Sequence, residues 1–221
     1  MSRIALAATA ATIALLAAAP ASAAAITGLF NTGVGDAGVA LTGGNGVVDT
    51  HWSILSSTSP GFAGQQAVTY YNPAYIGEDA DSRWLALSSS GSPGNNTTVY
   101  RLSFDLTGLN HATAQISGLF SGDNTARLFL NGAATSFVTG NFGALHAFNL
   151  TSGFVAGVNH FDVEVQDFGA PTAFRIDSLA GTADLPGIGG AVPEPATWAM
   201  MLLGFFGLGS MLRSRRGLAT A

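Results

Sequence analysis

The densest candidate chemistry in this sequence is a run of carboxylates. Glu78, Asp79 and Asp81 fall within one short stretch, and carboxylates at alternate loop positions can share a calcium ion with backbone carbonyls. The twelve-residue loop pattern with a closing glutamate is missing here, so a solvated loop is expected and no metal site is assigned. His51, His111, His146 and His160 are scattered, with no pair at metal-ligand spacing. An isolated histidine on an alternating strand, such as His146, is read as a packing residue. Asp123-Asn124 and Asn131-Gly132 would place polar side chains on connected turns, where they could meet a ligand. The same residue types also serve turns through positive φ and Asx hydrogen bonds. Trp52 and Trp84, with Tyr70, Tyr71 and Tyr75, supply flat faces of the kind that stack on sugar rings, although core aromatics look the same in sequence. Trp84, inside the apolar run WLAL, is assigned to the core. Trp52, Asp123, Asn124 and Asn131 are kept as candidate ligand contacts.

No residue is assigned a catalytic role and no cofactor is expected. The chain shows no nucleophile elbow, no Gly-rich phosphate loop and no convincing acid/base carboxylate pair, the features that hydrolytic and phosphoryl chemistry require. Cysteine is absent, which removes thiolate metal sites, cysteine nucleophiles and disulfides. Lysine is absent as well. Between the two ends of the chain, Arg83, Arg101, Arg127 and Arg175 stand against twelve carboxylates, a net charge of minus eight. A body this acidic does not bind nucleic acid through phosphate neutralisation.

The elements that must position any site read at period two. Tyr100, Leu102, Phe104 and Leu106 alternate with Arg101, Ser103 and Asp105, and Phe161, Val163 and Val165 alternate with Asp162, Glu164 and Gln166. Both are signatures of half-buried strands. Ala112-Ala114-Ile116, Leu128-Leu130, His146-Phe148-Leu150 and Phe174-Ile176 repeat the pattern less cleanly. Turn signals separate the runs at 90–96, 107–110, 121–124, Asn131-Gly132, Gly140-Asn141, Ala156-Gly157 and 169–171. Regularly spaced short strands of this kind predict an all-β, antiparallel β-sandwich or jelly roll over residues 24–184. Residues 25–46, rich in Gly, Thr and Val, are expected to contribute one or two irregular edge strands, and LPGIGGAV at 185–192 reads as a flexible linker.

The two ends are addresses. Arg3, an Ala/Leu/Ile run from Ile4 to Ala19, Pro20 and Ala21-Ser22-Ala23 form the charged start, apolar stretch and small-x-small site of a signal peptide over residues 1–23. That peptide implies the Sec export machinery and signal peptidase as partners. At the other end, residues 196–212 are apolar apart from Thr197, Ser210 and glycines, long enough to cross a bilayer as a single helix. Trp198 marks one interface, and Arg213, Arg215 and Arg216 form a basic tail at 213–216 that stays cytoplasmic. The membrane is thus a transient partner, with the body outside. Pro193 and Pro195 hold Glu194 on an extended, accessible segment at the outer surface.

In this order, Pro193-Glu194-Pro195, Thr197-Trp198-Ala199-Met200-Met201, the glycines at 204, 207 and 209 and the arginine cluster make residues 193–216 resemble the PEP-CTERM sorting signal in its PEPxxWA form. The resemblance implies recognition at Pro-Glu-Pro by an exosortase and removal of the tail, with the small residues letting an enzyme helix approach closely. The stretch from Trp84 to Thr182 is similar to the galactose-binding-like jelly roll, on SGLFSGDNTARLFLNG and on SGFVAGVNHFDVEVQDFG. That resemblance implies a β-sandwich whose relatives hold carbohydrate on loops at one end, some with a structural calcium. The expected function is that of a non-enzymatic, exosortase-sorted protein of the cell surface, outer envelope or extracellular matrix, associated with exopolysaccharide. The alternative is a purely structural matrix protein without a defined ligand, and a secreted hydrolase comes last.

Overall fold

Eleven strands make up about half of the computed structural model, which describes residues 23–186, 200 and 202–206. In chain order they are β1 (Ala23–Ala25), β2 (Val48–Ser57), β3 (Gln66–Thr69), β4 (Leu85–Ala86), β5 (Thr97–Asp105) and β6 (Asn110–Asp123). These are followed by β7 (Thr125–Leu130), β8 (Ala133–Thr139), β9 (His146–Leu150), β10 (Val158–Gln166) and β11 (Ala173–Asp184). Every pairing between them is antiparallel, and hydrogen bonds run along the path β8-β7-β10-β5-β2-β3-β4-β11-β6-β9, with β1 on β11. The short strands β3 and β4 are the fold line. They carry the path from the layer built on β5 and β10 over to the layer built on β6 and β11, which faces it.

Aromatic rings tie the two layers together. Phe174 of β11 packs against Tyr100 of β5 at 4.3 Å and against Trp52 of β2 at 5.3 Å between ring centroids. Phe148 of β9 stacks on Phe161 of β10 at 5.5 Å. None of these strand pairs shares backbone hydrogen bonds, so the contacts are those of one face against another. The alternation in the sequence places these rings: Tyr100, Leu102, Phe104 and Leu106 are all buried, as are Phe161, Val163 and Val165. Asp162 breaks the alternation by being buried on the outward side, because Arg101 on the neighbouring strand holds both its carboxylate oxygens at 2.7 Å.

Two local readings of the sequence meet different outcomes. Asn131-Gly132 forms the two-residue turn between β7 and β8, with φ of 52° and 79°, the left-handed pair that a tight hairpin requires. The turn expected at 121–124 is instead the end of β6, which stays extended and buried through Asp123. Its ladder with β11 continues through Arg175↔Ser121, Phe174↔Gly122 and Ala173↔Asp123. Gly122 serves close packing there, since a Cβ would lie 2.5 Å from that of Ala126.

Residues 26–47 hold one isolated bridge, Val34↔Ala40, and are pinned by side chains. Thr32 Oγ1 donates to the Arg83 carbonyl at 2.6 Å and accepts from the Ile176 amide at 3.0 Å. Asp49, buried beside this segment, accepts the amides of Gly33, His51 and Trp52. Met200 and residues 202–206 are helical. Among the described residues no helix is long and apolar enough to cross a membrane. Most of the expected span at 196–212 lies outside the described residues. So do all but the last residue of the expected signal peptide, the linker beyond Pro186, and Pro193, Glu194, Pro195, Trp198, Arg213, Arg215 and Arg216.

Candidate functional site

At one end of the sandwich, the end of β2, the start of β5 and the end of β10 bring three loops together around a polar cleft of about 240 Å³. Thr58, Asn95, Asn96, Thr97, Gln166, Asp167 and Phe168 line it. Its base is fixed by side chains bonded to backbone. Asp167 is buried and accepts the Asn95 amide at 3.1 Å and the Gly169 amide at 3.2 Å, while its own amide donates to the Asn96 carbonyl at 2.9 Å. Asn124 Oδ1 accepts the Phe168 amide at 2.8 Å. The backbone on both sides of Phe168 is therefore held, while its ring is 62% exposed.

Behind this loop, the Tyr75 hydroxyl donates to Asp123 Oδ2 at 2.8 Å. Burial pushes the Asp123 carboxyl above its ordinary range, an effect the Tyr75 bond opposes and the nearby Asp167 charge reinforces. Burial likewise pushes the Tyr75 hydroxyl up, so it remains a donor. The cleft thus presents an apolar ring face beside hydroxyl and carboxamide groups able to donate and accept. That combination suits a neutral, polyhydroxylated ligand.

Of the residues singled out from sequence, Asn124 touches this cleft indirectly, by accepting the Phe168 amide, and Asp123 lies behind the loop on Tyr75; neither lines the cleft. The other two lie elsewhere. Trp52 is 0% exposed, wedged edge-on between Phe161 and Phe174, with its indole N–H donating to the Phe30 carbonyl at 3.2 Å. It has no face to offer a ligand, and its work is core packing. Asn131 sits at the far end of β7 with its amide group fully engaged. Nδ2 donates to the Gly153 carbonyl and to Asn159 Oδ1, and Oδ1 accepts the His160 amide. The groups that rim the cleft, Thr58, Asn95, Gln166 and Phe168, were not anticipated. The one available signal was Phe168 itself, a large apolar side chain placed beyond the end of an alternating run.

The carboxylate cluster is an ion-pair network. Oxygen atoms of Asp79, Asp81 and Asp177 lie within 4.8 Å of one another, and the Arg175 guanidinium, 1% exposed, is inserted beside them. It donates to Ser82 Oγ at 2.6 and 2.9 Å, to Asp177 at 3.3 Å, and to Asp79 and the Gly77 carbonyl. Positive charge is thus already supplied from within the chain. The histidines stay apart: His51 stacks on Phe30 at 3.5 Å, and His160 shares a hydrogen bond with Ser103 at 2.9 Å. His146, expected to pack, is exposed at the first position of β9, where the strand begins at the rim.

A model of the PEP-CTERM protein-sorting motif matches residues 191–216. No curated protein matches the sequence significantly. Similar solved structures include the Stig cyclase Fisc from Fischerella sp. TAU, at 13% identity and a TM-score of 0.43, covering 74% of this chain and 99% of that one. TmCBM61 in complex with beta-1,4-galactotriose has 14% identity and a TM-score of 0.35, covering 62% of this chain and 91% of that one. CBM35 from Paenibacillus barcinonensis has 11% identity and a TM-score of 0.29, covering 62% and 98%. The chain therefore ends in a PEP-CTERM motif, the mark of a protein that is exported and sorted through exosortase processing.

Proposed function

We propose that the body of this exported protein is a non-catalytic module that holds polysaccharide at the Phe168 cleft. Sorting delivers it to the cell surface or the extracellular matrix, where exopolysaccharide is its partner. In this reading residues 1–23 are removed on export, residues 24–184 act as the binding body and residues 185–192 space it from the membrane. Residues 193–216 are the sorting signal, with a span at 196–212 that is discarded on processing. The observation that carries the proposal is an exposed aromatic ring on an immobilised backbone, rimmed by Thr58, Asn95 and Gln166. A loop ordered before the ligand arrives loses little further freedom on binding.

The test is calorimetric titration of the mature protein with exopolysaccharide from the producing cells. Wild type is expected to bind, and Phe168→Ala is expected to lose about tenfold or more in affinity, or about 1.4 kcal/mol. Because that ring is mostly outside the core, the melting temperature of the variant stays at the wild-type value. Equal binding by both proteins would remove the cleft from consideration, and shortening of the polysaccharide during the titration would remove the non-catalytic reading.

A further inference from the structure

The hydrogen-bonded path through the sheet ends at β8 on one layer and β9 on the other. These two edges lie on the same flank. A groove of about 360 Å³ runs between them, lined by Ala134, Phe137, Leu150 and Gly153 among others. Among the described residues nothing pairs with the outer edge of either strand.

Edge strands are templates for pairing with another chain, and proteins that must stay apart protect them with lysine, proline or inward-pointing charge. None of these devices is present on this flank. From Leu128 to Phe161, thirty-four residues spanning both edges and the connections around them, there is no Asp, Glu, Lys, Arg or Pro. The one protective feature is a register shift in the β7–β8 ladder, where Thr135, Ser136 and Phe137 stand opposite Leu128 and Thr135 Oγ1 accepts the Phe137 amide. This stretch belongs to a body whose net charge is minus eight. Two copies meeting through carboxylate-bearing faces repel each other, while two meeting here do not.

We propose that this flank joins two copies of the chain, with β8 of one running antiparallel to β8 of the other. In this pairing the two-fold axis passes through Ser136, the middle residue of β8, and sets it opposite its own counterpart. The contact is self-complementary and closes as a dimer. Ala134 and Ser136 are small and exposed, and permit the close spacing of paired backbones, about 4.8 Å. Val138, 47% exposed, adds apolar contact. The inference is independent of glycan binding at the Phe168 cleft, which lies among other loops.

Sedimentation velocity on the mature exported protein tests it, from about 1 to about 100 μM, where paired edges of modest area associate. Wild type is expected to sediment as a dimer at the upper end. Ser136→Lys and Ser136→Glu are each expected to weaken association about tenfold or more, because like charges directly opposite across a ladder repel. An equimolar mixture of the two variants is expected to regain the dimer as a mixed species. The chain has no cysteine, so Ser136→Cys provides a unique thiol and is expected to form a disulfide-linked dimer on mild oxidation, its Cα atoms being about 5 Å from their counterparts. Circular dichroism identical to wild type certifies each fold. A wild type that stays monomeric throughout overturns the proposal. So does association unchanged in both charged variants, or a mixture that stays monomeric.

Discussion

Replacing Pro193, Glu194 and Pro195 together with alanine leaves the protein in the inner membrane as a precursor of undiminished mass. Two physical changes produce this result. Alanine restores the backbone donors that the prolines lack and removes the fixed φ, so a segment expected to be extended becomes free to join the helix expected at 196–212. The carboxylate that Pro193 and Pro195 are expected to display is also lost. An enzyme that finds its substrate at Pro-Glu-Pro has neither shape nor charge left to bind. Residues 191–216 match the PEP-CTERM motif; with this tripeptide proposed as the recognition element, the loss in processing is expected to be about tenfold or more, equivalent to at least about 1.4 kcal/mol of recognition. Intact mass spectrometry of membrane and extracellular fractions reads the result. Secretion of the variant at wild-type mass and yield would mean that another feature of the tail directs its handling.

Sequence reasoning succeeded where a single rule governs a residue and failed where packing decides between two. The alternation in β5 and β10 gave the inward face residue by residue, because a strand buried on one side has a period with no competitor at that length. Asn131-Gly132 read correctly as a hairpin turn, since few residue pairs accept positive φ at both positions. Asp123 misled because Gly-Asp-Asn is also turn chemistry. That β6 continues there depends on β11, which arrives fifty residues later in the chain. Trp52 could not be sorted from a ligand-stacking tryptophan, because an indole in a core and an indole on a surface look alike until the opposite layer is in place. The cleft was illegible for a similar reason. Asn95, Asn124 and Phe168 come from three separate loops, and only the antiparallel order of the sheet brings those loops to one end.

Arg175→Met is expected to be the most destabilising single change in the body. Arg175 pairs with Ser121 in the β11–β6 ladder and sends its guanidinium toward the loop at 77–82, where it bonds buried Ser82 and the more exposed Asp79 and Gly77 carbonyl, and it also reaches buried Asp177 on its own strand. Methionine fills comparable volume without a donor. It leaves Asp177, buried on the same strand, without its cation, and leaves buried Ser82 with Asp79 alone as a side-chain partner. Removing one member of a buried charge pair costs about 3–5 kcal/mol, which in a protein of this size lowers the melting temperature by about 10 °C. Exposed Arg127 supplies the control, since Arg127→Met is expected to change stability by less than about 0.5 kcal/mol. The double variant Arg175→Met/Asp177→Asn discriminates the cause. If the loss arises from a stranded carboxylate, neutralising Asp177 recovers a substantial part of it. If the loss arises from packing alone, the double variant melts no higher than the single one. Differential scanning calorimetry of the three proteins decides between these, and a single variant that melts within a degree of wild type would show that the loop at 77–82 is held by something other than this network.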